Sequence, residues 1–121
     1  MLIYSVDQGS DEWLKLRLGV PSTSNFGKII SPTGKQSTQA EAYVNELIAE
    51  LITGHNQEFF YSDAMRRGNE LEPMAVSAYE HITGNRTKEV GFITDDTGRI
   101  GCSPDRFVGK DGLVEIKCPL Q

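Results

Sequence analysis

An α+β fold, with N-terminal helices followed by an antiparallel β-meander, is what the residue pattern of this chain predicts. Two observations carry the prediction. Val44, Leu47, Ile48, Leu51 and Ile52 follow the i, i+3, i+4, i+7, i+8 rhythm of a helix with one buried face. From Thr87 onward the texture changes to short β-rich runs separated by the turn signals Asp95-Asp96-Thr97-Gly98 and Gly109-Lys110-Asp111-Gly112. Helices first and strands afterwards, rather than in alternation, is the order of an α+β domain.

Each element has its own local reason. Ser10 reads as an N-cap, with Asp11 and Glu12 in the first turn of a helix over 11–18 that Gly19 ends. Pro21 and the run Ser22-Thr23-Ser24 restart the chain. "NFGKII" is a short helix ending before Pro32, and "SPTGKQS" is a loop. Thr38 and Glu41 have the spacing of a capping box for the helix bearing the apolar stripe, which Gly54 closes. After the loop "HNQEFFY", Ser62 caps a helix through "DAMRRGNELE", where Pro73 either kinks it or opens a new segment. Ala75, Ala78, Tyr79 and Ile82 continue a buried stripe to Gly84, and Glu72, three positions before Ala75, falls on the same inward face. A carboxylate on that face needs a reason. The strands follow as "TKEVGFIT", "RIGCSP", "RFV" and "LVEIKCP".

Bulk properties narrow the class. With 121 residues, 38% of them hydrophobic, the chain suits a single domain, 1–121, with a modest core. It has no run of about 18 apolar residues and no basic, apolar leader, so a soluble cytoplasmic protein is expected. Cys102 and Cys118 are too few for a structural zinc or iron–sulfur site. A net charge of −5 argues against coating nucleic acid by bulk electrostatics, yet acidic residues gathered at a metal site produce the same sign, and "KLR" or "MRR" can still hold phosphates.

The stretch "CSPDRFVGKDGLVEIKCP" concentrates the chemistry. Glu115 and Lys117 stand two apart, so on a strand they share one face while Val114 and Ile116 take the other. Hydrolysis of a phosphodiester with metal assistance needs hard oxygen ligands, an activated water and charge opposite the transition state. Asp105, Glu115 and the Ile116 carbonyl are candidate ligands, Glu72 completes an acidic pocket, and Lys117 is placed to orient or deprotonate water or to stabilise negative charge. Each residue also has a plainer reading. Asp105 is then a turn residue, Glu72 pairs with Arg66 or Arg67, Asp95 and Asp96 shape a hairpin turn, Trp13 is core and Arg17 is a surface charge.

Three blocks in order, "QGSDEWLKLRLGVPSTSNFGKII", "RRGNELEPMAVSAYEHITG" and "GRIGCSPDRFVGKDGLVEIKCP", favour the catalytic reading. Across nearly its whole length the chain resembles the phage lambda exonuclease and YqaJ-like viral recombinase family, a branch of the PD-(D/E)XK nucleases. The resemblance implies a restriction-endonuclease-like core and a metal site of Glu72, Asp105, Glu115 and the Ile116 carbonyl, with Lys117 as the catalytic partner and Asp95 as a weaker candidate. It further implies that Arg17, Ser24 and Ser103 hold a 5′-phosphate, where a guanidinium and short hydroxyls suit a dianion. Mg²⁺ is the implied cofactor, with Mn²⁺ as a substitute. Duplex DNA ends are the implied substrate, digested 5′ to 3′, and a single-strand annealing protein and a ring-shaped homotrimer are the implied partners.

The family core continues past the Glu-x-Lys strand with a helix and a further strand, and here Gln121 is the last residue. The expectation is therefore a C-terminally incomplete core, whether as a fragment, as a chain completed by another, or as a reduced homologue. A Mg²⁺-dependent DNA exonuclease of phage recombination is the leading reading. The other readings are a non-catalytic module that binds DNA ends or a protein, and a RecB-like repair nuclease, whose clustered forms would need more cysteines.

Overall fold

The computed structural model describes residues 1–56 and 62–119, so part of the expected loop "HNQEFFY" and Gln121 lie outside the described residues. In chain order the elements are β1 (Leu2–Tyr4), α1 (Asp11–Arg17), a 3₁₀ segment (Thr23–Lys28), α2 (Ala40–Thr53), α3 (Asp63–Thr83), β2 (Thr87–Glu89), β3 (Phe92–Thr94), β4 (Gly101–Cys102), β5 (Arg106–Val108) and β6 (Gly112–Val114). The mixture is α+β, with antiparallel strands in two three-stranded sheets ordered β1-β3-β4 and β2-β5-β6. Backbone contacts group the chain into two compact units, Met1–Glu58 with Gly91–Ser103, and Phe59–Val90 with Pro104–Gln121.

In the first unit, Ser10 caps α1 as expected, its hydroxyl accepting from the Trp13 amide at 3.2 Å. The core is Phe92, fully buried, with Ile93, Tyr43 and Ala40. Gly101 is required beside it, because a Cβ there would run into the Phe92 ring. β1 was not expected from sequence. It pairs antiparallel with β3, Ile3 opposite Ile93, and a three-residue strand carries too little alternation to announce itself.

Two expectations about α2 are corrected. No capping box forms. The helix begins at Ala40 after Gln39, which makes no side-chain cap, and it is the Ser37 hydroxyl that accepts from the Gln39 amide. The apolar stripe is also out of phase, since Val44, Ile48, Leu51 and Ile52 are exposed while Ala40 and Tyr43 are buried. Polar groups decide the rotation. Tyr43 takes the Ser22 amide on its hydroxyl at 3.4 Å and Lys28 over its ring at 5.2 Å, and Glu50 takes the Gly19 amide at 2.9 Å. Gly19 itself adopts φ 68°, which only glycine enters readily, and a side chain there would strike Leu51. The expected short helix over "NFGKII" is instead the 3₁₀ segment, starting two residues earlier.

In the second unit, Ser62 caps α3 by accepting from the Met65 amide at 3.2 Å, and the helix runs unbroken through Pro73 to Gly84. Its inward face holds Leu71, Glu72, Ala75, Val76, Tyr79 and Glu80, all half-buried, whereas Ala78 and Ile82 point outward against expectation. Ile82 loses its place because Glu80 closes the helix end, its carboxylate accepting from the Thr87 amide at 2.6 Å and hydroxyl at 2.7 Å. "TKEVGFIT" is two strands rather than one. β2 pairs with β5 and β3 with β1 and β4, so the expected single meander is split between the sheets. The hairpin β5–β6 turns through Gly109–Asp111 as its turn signal predicts.

Candidate active site

The acidic candidates all fall in the second unit. Asp105 sits just before β5, and its Oδ2 accepts from the Ile116 amide at 2.5 Å, a charge-assisted bond that holds the carboxylate against the segment after β6. That segment, Glu115–Pro119, is not assigned as strand, yet the alternation persists, with Val114 and Ile116 half-buried and Glu115 and Lys117 exposed. Sharing a face lets Lys117 Nζ donate to Glu115 Oε1 at 2.5 Å, and this contact raises the Lys117 pKa above its ordinary value.

Glu72 reaches into the same neighbourhood from the middle of α3. Burial pushes its carboxyl above the usual range and the Asp105 charge adds to the shift, while Arg106 opposes it. It does not pair with Arg66 or Arg67. Arg66 bridges Asp63 and Glu70 along the helix, and Arg67 Nη1 donates to the Cys118 and Pro119 carbonyls at 3.2 and 3.1 Å, fastening the end of the Glu-x-Lys segment. Glu72 pairs instead with Arg106 Nη2 at 3.4 Å, and Arg106 Nη1 binds Glu89 at 2.7 Å.

Three carboxylates and the Ile116 carbonyl are a hard-oxygen donor set that suits Mg²⁺ or Mn²⁺. Among the described residues, however, no three His, Cys, Asp or Glu side chains stand as a ready-made metal cluster. Glu72 and Glu115 each hold a cationic side chain instead. In chemistry the set fits a divalent ion, and in this arrangement arginine and lysine supply the positive charge.

Of the three residues expected to hold a 5′-phosphate, Arg17 and Ser103 meet in the first unit. Ser103 Oγ accepts from both Arg17 Nη1 and Trp13 Nε1 at 3.0 Å, and Trp13 Nε1 also donates to the Gly91 carbonyl at 3.0 Å. The Arg17 guanidinium lies 4.2 Å from the centre of the Trp13 ring and 5.8 Å from that of Phe92. Burial lowers the Arg17 pKa, while Tyr43 and the Glu50 charge oppose the shift. Ser24 is exposed and shares a hydrogen bond with Ser22 at 3.0 Å, without a bond to Arg17 or Ser103 among those residues. Asp95 organises its turn, accepting from Thr97 Oγ1 at 2.5 Å and from the Arg99 and Ile100 amides, and these bonds lower its pKa.

Comparison with known proteins places the chain in a family. The YqaJ-like viral recombinase domain matches residues 12–121, almost the whole chain. The chain belongs to that family. Two solved structures share its fold at 38% sequence identity, an alkaline exonuclease, LHK-Exo, from Laribacter hongkongensis with a TM-score of 0.76, and LHK-Exo in complex with dAMP at 0.77. Each match covers 91% of this chain, which spans 54% of the length of the exonuclease. No curated protein matches it. The YqaJ-like assignment agrees with the blocks read from sequence. Arg106, Arg67 and Trp13 were missed as contributors, because their part depends on which carboxylate or carbonyl each meets across the fold. Among the described residues, no helix is long and apolar enough to cross a membrane.

Proposed function

We propose that this chain carries the ligand-bearing part of a metal-dependent deoxyribonuclease that hydrolyses duplex DNA from 5′ ends. The observation that carries the reading is the Asp105–Ile116 hydrogen bond, which sets one carboxylate beside the Glu115–Lys117 segment while Glu72 feels the charge of both acids. Glu72, Asp105, Glu115 and the Ile116 carbonyl would hold Mg²⁺ or Mn²⁺, which when bound supplies Lewis acidity and lowers the pKa of water. Lys117 orients the attacking water and offsets charge developing on the phosphate. Arg17, on its Trp13 platform beside Ser103, receives the terminal 5′-phosphate, with Ser24 as a further hydroxyl.

Double-stranded DNA ends are the substrate in this reading, a single-strand annealing protein and two further copies of the chain are the partners, and the host cytoplasm is the place of action. The similarity to an alkaline exonuclease supports the activity class. A second reading, a module that binds DNA ends or a protein without cutting, is favoured by the pairing of Glu72 with Arg106 and Glu115 with Lys117 in place of a ready metal cluster.

One incubation separates them. The 121-residue chain is mixed with end-labelled linear duplex DNA in Mg²⁺ or in EDTA, beside Lys117→Ala. Nucleotide release that needs metal and disappears in the variant supports the nuclease. Release at the wild-type rate by the variant removes Lys117 from catalysis, and DNA binding without any release supports the binding module.

A further inference from the structure

Arg106 is an unusual residue to find in an acidic pocket. Its side chain is only 13% exposed, so its charge is largely withdrawn from water and must be compensated locally. Two carboxylates do so unequally. Glu89, directly opposite Arg106 in the β2–β5 ladder, binds Nη1 at 2.7 Å, while Glu72 on α3 meets Nη2 at 3.4 Å. Nε is buried with no hydrogen-bond partner, alone in that respect among the side-chain atoms of the described residues. The arginine is thus anchored firmly to its own sheet and only loosely to the candidate metal ligand.

We propose that Arg106 is an internal counter-ion that stands in for the divalent cation, stabilising Glu72 in the metal-free protein and releasing it, while still held by Glu89, when metal enters. The inference rests on Glu72 being a metal ligand, as in the function proposed above. It follows from charge balance. Arg106 bridges Glu89 and the half-buried Glu72, so without its guanidinium the two carboxylates would be left without that shared cation. An arriving metal ion replaces that cation for Glu72, and a guanidinium left nearby repels it. Arg106 is a positioning residue in this scheme, touching neither substrate nor the reacting atoms.

The test uses the full chain with Mn²⁺ as probe. In EDTA, the melting temperatures of wild type, Arg106→Met, Glu72→Gln and the double variant form a cycle. Arg106→Met lowers the melting temperature, and Glu72→Gln recovers part of that loss. With saturating Mn²⁺ the coupling between the two positions fades. By calorimetric titration Arg106→Met binds Mn²⁺ more tightly, by roughly three- to tenfold, because no cation opposes entry. Arg106→Gln, whose amide can still donate to Glu89, is read in the same way where the methionine variant fails to fold. Absence of coupling in EDTA, or Mn²⁺ binding that is unchanged or weaker in the folded Arg106 variants, overturns the inference. Absence of Mn²⁺ binding in wild type and variants alike overturns both this inference and the metal-dependent reading. Coupling in EDTA that persists undiminished in bound Mn²⁺ overturns the exchange alone.

Discussion

Asp105 reaches across from the start of β5 to take the Ile116 backbone amide on its carboxylate, 2.5 Å from oxygen to nitrogen. The bond does two things at once. It satisfies a half-buried amide beside the Glu-x-Lys segment, and it fixes which carboxylate oxygen is spent on structure. Asp105→Asn keeps an acceptor for the amide and removes the charge, which weakens the bond but also relieves the repulsion on Glu72, so it should fold with near wild-type stability and lose Mn²⁺ binding. Asp105→Ala loses both, and should cost a further ~1–2 kcal/mol in urea denaturation. Equal stability of the two variants would detach the Ile116 bond from the fold.

A second prediction concerns Arg17 and Trp13. Trp13 is the chain's single tryptophan, and its indole N–H and the Arg17 guanidinium share the Ser103 hydroxyl. Arg17→Ala should erase any preference for 5′-phosphorylated over 5′-hydroxyl duplex ends. It also removes the cation from the indole face, at a stability cost of about 0.5–1 kcal/mol. Adding a 5′-phosphorylated oligonucleotide should change tryptophan fluorescence in wild type and not in the variant. An unchanged end preference would take Arg17 out of the pocket.

The Glu115–Lys117 pair yields the third. Because the two share a face but differ in charge, removing each should affect different steps. Glu115→Ala should weaken both Mn²⁺ binding and cleavage. Lys117→Ala should leave Mn²⁺ affinity within about threefold and lower single-turnover cleavage by a factor on the order of 10² or more, as loss of a transition-state charge partner does. A parallel fall in both quantities for both variants would mean that the residues act as one structural unit.

What sequence made legible here were the local devices. The serine caps at Ser10 and Ser62, the turn between β5 and β6, and the shared face of Glu115 and Lys117 depend on neighbours a few residues apart. The phase of α2 did not show, because periodicity sets a helix's repeat but not its rotation, and Tyr43 and Glu50 turned it by bonding distant amides. Nor did the change of sheet between Glu89 and Phe92, since strand partners lie far along the chain. The candidate ligands could be named from one short stretch and a family resemblance, whereas the part of Arg106 depends on β5 lying between β2 and β6, opposite Glu89.

Acid titration of stability supplies the last prediction, away from the site. Glu80 accepts two hydrogen bonds from Thr87, backbone amide first and hydroxyl second, and these lower its pKa from an ordinary value of 4.5. A carboxyl whose folded pKa lies below its unfolded one binds fewer protons when folded, so it adds stability above the unfolded value and surrenders it as pH falls through the folded one. At neutral pH Glu80→Gln should therefore be less stable than wild type, because its amide oxygen can still accept from Thr87 but carries no charge. Below about pH 4.5 the gap should narrow progressively as the wild-type carboxylate gains its proton. Urea midpoints for the two proteins between pH 7 and pH 3 check this directly. A gap that stays constant with pH would mean that the closure of α3 onto Thr87 depends on the shape of the side chain rather than on its charge.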